Sequence, residues 1–175
     1  MNKQEISDAL VVKHAAFTNY ISELPADEYF FSNNGKWTAG QQLEHIVLCV
    51  DPILRVFSME KPAIAQTFGR AERPGRTVEY LFLDYKEKLS QGGKAPTRFV
   101  PQTNSSPERI TLSEKLSKLI IQLCSKIESF TDEELDSLLI PHPLLGNLTL
   151  REMLYNVNHH VDHHYEMTRQ NLQNK

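Results

Sequence analysis

Cysteine is scarce in this chain. Its 175 residues hold two, Cys49 and Cys124, both inside helix-like stretches and without a CxxC spacing. They read as two buried free thiols of a protein kept in a reducing, cytoplasmic environment. Positive charge is not clustered: the net charge is −3 and no run of Lys or Arg occurs, so nothing supports a nucleic-acid partner or an anionic membrane surface. No apolar run approaches the ~20 residues needed to span a bilayer. The opening stretch, MNKQEISDALVVKHAAF, lacks an apolar core and a cleavage site, so no secretion signal is expected. Internal repeats, low-complexity tracts and convincing strand-like alternation are also missing. What is present is a 40% hydrophobic composition, enough for one domain over residues 1–175 with a real core.

The apolar residues recur at helical spacing. Residues 3–23 carry Ile6, Leu10, Val11, His14, Phe17 and Ile21, with Leu24 following. Residues 25–37 read as a loop with an Asn-Gly turn. Thr38 caps a second helix predicted to reach about Glu60 on Leu43, Ile46, Val47, Val50, Leu54 and Phe57, with Pro52 inside it as a kink. Residues 61–106 are irregular around one short helical stretch, 77–89, and look like a crossover connection. Ser106 as N-cap and Pro107 at the first helical position open a helix to about Phe130. Thr131 caps one or two turns, PHPLLGN reads as a loop, and Thr149 with Glu152 forms a capping box for the last helix. Four long amphipathic segments predict an all-α four-helix bundle. The long link at 61–106 allows two neighbouring helices to run parallel.

The most unusual stretch is NHHVDHHYEM, residues 158–167, which places four of the chain's seven histidines within six positions. At ~100° per residue, Leu150, Leu154, Val157 and Val161 form one apolar stripe. His160 and His164 fall on its flank, beside Met153 and Met167, while His159 and His163 fall on the far side, toward water or a pocket rim. Each pair is spaced i,i+4, with Cβ atoms ~5–6 Å apart, so two imidazoles can converge on one cation. The competing reading is a polar helix end with histidines as half-polar filler. A metal centre also needs a ligand from another element, and His14, His45 and His142 are the candidates. His142 reads as a loop side chain bonded to backbone, and His14 as a core histidine. His45 points away from its helix's stripe, toward Cys49 and Gln42. On the residues alone the third ligand stays open.

Three stretches carry a family resemblance: KWTAGQQLEHI, with a histidine eight residues after the tryptophan; PHPLLGNLTLREML; and HHVDHH. Together they resemble the DinB-like superfamily, in particular the group of YfiT-like metal-dependent hydrolases. The resemblance covers most of the chain, weakly over 61–106. It implies a four-helix bundle in up-down-down-up order and a divalent ion, zinc or nickel, held by His45, His160 and His164. It also implies a small-molecule substrate, acted on by hydrolysis or by transfer of a low-molecular-weight thiol cosubstrate. The chain departs from the family pattern where Leu48 stands third after His45 and Asp51 comes later, so no general base is carried over. Glu44 and Asp162, next to proposed ligands, are candidate helpers. A non-catalytic metal-binding or stress-related interaction domain is the alternative, and a homodimer through helix faces is compatible with a bundle. Trp37, just before the capping Thr38, is expected to be largely buried.

Overall fold

The computed structural model of the chain describes residues 1–102, 108–173 and 175. It is predominantly helical, with four long helices: α1 (Lys3–Glu23), α3 (Ala39–Phe57), α6 (Glu108–Glu128) and α8 (Leu150–Leu172). Their starts are set by local chemistry. Asn2, Thr38 and Thr149 each cap with the side chain while Glu5, Gln41 and Glu152 bond back to the cap, closing three capping boxes. The N-cap predicted for α6, at Ser106 and Pro107, lies outside the described residues. α3 runs through Pro52 but stops at Phe57, short of Glu60, with Ser58 as C-cap.

Cross-links fix how the long helices pair. Lys3 Nζ donates to Phe130 O at 2.9 Å and Arg109 Nη1 to Leu24 O at 2.7 Å, so α1 and α6 run in opposite directions. Arg151 reaches Met1 O at 3.2 Å, Asn158 reaches Ile6 O at 3.4 Å, and Lys13 pairs with Asp162 at 2.5 Å. α1 and α8 therefore start at the same end. α3 packs against both α6 and α8. The core between them is aliphatic and aromatic, with Leu10, Phe17, Leu43, Phe57, Leu116, Leu123 and Leu154 at most 1% exposed. Val11, read as part of the α1 stripe, is 46% exposed. It sits ~100° round from Leu10, outside the arc that α6 and α8 cover.

Short elements complete the chain: α2 (Ala26–Tyr29), α4 (Lys61–Phe68), α5 (Val78–Ser90) and α7 (Asp132–Ser137). α5 matches the short helix predicted at 77–89. α4 was not predicted, because with Ile64 as its one fully buried residue it carries almost no periodic signal. The stretch read as a loop, PHPLLGN, is instead a β-hairpin of β1 (Leu139–His142) and β2 (Gly146–Thr149). Its register pairs Leu139 with Thr149 and His142 with Gly146. Gly146 takes φ +68°, a left-handed conformation that closes a three-residue connection. Pro141 and Pro143 hid the strand, since proline demotes a run that is read as β.

A buried carboxylate ties the crossover to α8. Glu152, 1% exposed, accepts from Arg73 Nη1 and Nη2 at 2.7 and 2.6 Å, from Arg76 N at 2.7 Å, and from Thr149 N at 2.9 Å. This clamp holds the strand of chain that enters α5. Among the described residues no helix is long and apolar enough to cross a membrane.

Candidate metal centre

Three histidines from two helices converge where α3 faces α8. His45 Nε2 lies 3.3 Å from His160 Nε2, and His164 Nε2 lies 2.9 Å from the same atom. All three ligand nitrogens fall within 4.8 Å of one another. His45 and His164 are buried, and His160 is half-buried. The i,i+4 phase of α8 brings His160 and His164 to one side, as the spacing predicted. His45 joins them although periodicity left it off its stripe. The reason is that α8, Trp37 and the segment around Phe99 all pack against this flank of α3.

The opposite face of two of the rings is fixed. His45 Nδ1 meets Phe99 O at 2.6 Å, and His164 Nδ1 meets Gln42 Oε1. A carbonyl only accepts, so both Nδ1 atoms carry hydrogen and both Nε2 atoms present bare lone pairs. In the metal-free chain a proton on His160 Nε2 can bridge them. Three nitrogens bonded to one ion at ~2.0–2.1 Å with tetrahedral angles stand ~3.3 Å apart, close to the 3.3 and 2.9 Å that separate His160 Nε2 from the other two. The donor set therefore fits a borderline divalent ion. Burial is the main cause pushing His160 and His164 well below the ordinary histidine range, with their histidine neighbours adding repulsion, and it lowers His45 as well. All three rings are held in the neutral form a metal needs.

Gln42, 1% exposed, and the Phe99 carbonyl were not identified from sequence as part of the site. Gln42 stands three residues before His45 on the same helix face, which was a usable signal; Phe99 lies in the irregular crossover and offered none. Trp37 is half-buried and not exposed. Its ring packs 4.9 Å from His45 and stacks 6.2 Å from His164, as an aromatic shield on the outer side. Cys49 Sγ lies 3.6 Å from His45 Nε2, one helical turn along, and burial pushes its thiol up to about 12.

The remaining histidines divide. His142 Nδ1 accepts from Leu144 N and Leu145 N at 3.2 and 3.1 Å, the backbone role predicted for it, though on a strand. His14 is a buried core residue bonded to Leu10 O at 2.7 Å. His159 and His163 do not simply face water: His159 stacks on Phe82 at 3.8 Å, and Tyr85 stands edge-on to both at 6.1 Å. α5, invisible to helix phase in α8, covers that side. Of the candidate helpers, exposed Asp162 pairs with Lys13 and Glu44 accepts from Gln102 N at 3.3 Å. Neither lines the cavity beside the histidines.

That cavity, about 270 Å³, opens next to His45 and His160 between α1, α3, α8, the hairpin and the 94–99 segment. Its walls are mainly apolar, with Ile46, Val50, Phe68 and Met153 among them. Tyr85 lines it with a phenol that burial pushes up to about 12, so the hydroxyl stays protonated.

A family model for the DinB superfamily matches residues 9–168, nearly the whole chain. None of the curated proteins compared with the chain matches it.

Proposed function

Because the chain belongs to the DinB superfamily, we propose that His45, His160 and His164 hold one divalent transition ion, zinc or nickel, through their Nε2 atoms. We propose that the centre acts on a small molecule seated in the adjoining cavity. The observation that carries this is the convergence of three Nε2 atoms, that of His160 lying 3.3 and 2.9 Å from those of His45 and His164, whose Nδ1 sides are tied down. The same membership supports an up-down-down-up order for the four long helices.

An ion on three neutral imidazoles keeps its full charge and an open position, and supplies Lewis-acid polarisation and a lowered pKa for a water or thiol there. The protein's own groups do the rest. Phe99 O and Gln42 Oε1 set the tautomers and aim the Nε2 atoms of His45 and His164. The apolar walls exclude bulk water and seat the substrate body beside His45 and His160. Tyr85, kept protonated, offers a hydrogen-bond donor toward negative charge developing on the substrate. With water as nucleophile the reaction is a hydrolysis; with a low-molecular-weight thiol it is a thiol transfer. The cavity beside the centre favours this enzymatic reading over a closed, purely structural metal site.

The test is a paired panel on zinc- and nickel-loaded protein: ester and amide hydrolysis in one arm, transfer of small thiols to apolar electrophiles in the other. Turnover in either arm that vanishes in His160→Ala supports the proposal. Turnover unaffected by His160→Ala, or none in either arm with metal bound, refutes the catalytic reading.

A further inference from the structure

Among the polar side chains that line the cavity, His14 and Asn156 stand apart from the three-histidine centre. His14, 2% exposed, reaches the cavity from α1. Its Nδ1 meets Leu10 O at 2.7 Å and so carries the hydrogen, leaving Nε2 as a bare acceptor that is buried without a hydrogen-bond partner. Burial holds this imidazole down at about 4, which keeps it neutral. Asn156, 7% exposed, lines the same cavity from α8, and its amide makes no hydrogen bond among the described residues. An unmet buried acceptor costs ~1–3 kcal/mol. The exposed part of the lining differs in character from this buried part. Lys94 and Arg98 line it from the exposed segment that forms its mouth, and no carboxylate lines it among the described residues.

We infer that the cavity takes an elongated, mainly apolar molecule with polar groups at both ends. An anionic group, such as a carboxylate, sits toward Lys94 and Arg98. A hydroxyl or amide at the far end donates to His14 Nε2 and pairs with Asn156. His14 and Asn156 are then specificity-determining residues. The inference rests on reading the cavity as the substrate pocket of the metal centre, but the two are separable, because neither residue belongs to the proposed ligand set.

The experiment uses straight-chain carboxylic acids of about four to eight carbons, each with and without a terminal hydroxyl. Binding is followed by NMR titration of the full chain, with and without zinc. In the wild type the best-fitting hydroxy acid should bind roughly 3- to 10-fold more tightly than its plain partner, the yield of one neutral hydrogen bond. It should also shift the His14 Nε2 resonance. His14→Phe should erase that preference while keeping zinc binding and raising or preserving thermal stability, a combination that a purely structural histidine would not give. His14→Gln, which retains an acceptor, should recover part of the preference. Asn156→Leu provides the same reading should the position-14 variants misfold. Equal binding of hydroxy and plain acids, an unchanged preference in His14→Phe, or binding by no member of the series overturns the inference; a water alone on His14 would give the first result. Loss of zinc in His160→Ala with the hydroxyl preference intact would leave the inference standing whatever the fate of the metal-centre proposal.

Discussion

Replacing Glu152 with alanine removes the acceptor at the centre of the clamp between α8 and the crossover. The carboxylate is 2% exposed and meets Arg73, 36% exposed, and Arg76, 18% exposed, at 2.6 and 3.0 Å. It also receives the Arg76 and Thr149 backbone amides. Breaking a buried ion pair by deleting one partner costs ~3–5 kcal/mol. Arg73 can recover water, so the lower end, ~3 kcal/mol, is expected here. For a chain of this length that is a fall of ~6–12 °C in melting temperature, measured by circular dichroism at pH 7. Glu152→Gln keeps the shape and loses the charge, and should fall between the two. Burial pushes the carboxyl up, but Arg73, Arg76 and the two amides together outweigh it and hold the group at about 2. Since the folded value is depressed, the contribution is complete above the ordinary carboxyl range near 4.5. It is lost as pH falls from there toward 2. The gap between wild type and Glu152→Gln should therefore close over that window. A second effect follows from connectivity: the clamped segment leads into α5 and the 94–99 stretch, so the alanine variant should also weaken metal binding. A melting temperature within 2 °C of wild type, or a gap independent of pH down to 3, would refute this account of the clamp.

Other perturbations test the site and its surroundings. Gln42→Leu leaves His164 Nδ1 without its acceptor and should cost about 10- to 100-fold in metal affinity, read by competition with a chromophoric chelator, with an unchanged circular dichroism spectrum. All seven histidines are held below their ordinary range, chiefly by burial, His14 and His142 at about 4. The unfolded chain therefore takes up protons before the folded one, and stability should drop steadily from pH 6.5 to 4; a flat melting temperature over that range would contradict the burial. Trp37, the single tryptophan, packs 4.9 Å from His45, so nickel binding should quench its fluorescence, and His45→Ala should abolish the quenching.

Much of this architecture is legible in the residues because it is set locally. The Thr38, Thr131 and Thr149 caps, the apolar rows of the long helices and the shared face of His160 and His164 all follow from a 3.6-residue period and short-range hydrogen bonds. What was not legible depends on elements distant in sequence. His45 is off-stripe on α3, and α8, Trp37 and the Phe99 segment, 54 residues on, together turn that flank into an interior. His159 and His163 lose their free access to water because α5 folds over them. The hairpin at 139–149 is masked by two prolines whose missing amides its short ladder does not need. The ligand trio itself came from family resemblance joined to phase, since spacing alone left His14, His45 and His142 as alternatives.

The most direct test of the central claim is equilibrium dialysis against zinc and against nickel, followed by elemental analysis of the protein, for wild type and five single alanine variants. A single ion per chain is expected in wild type, in His159→Ala and in His163→Ala, and a steep loss of bound metal in His45→Ala, His160→Ala and His164→Ala. Stoichiometric metal retained by all of the last three, or loss confined to the His159 and His163 variants, would contradict it.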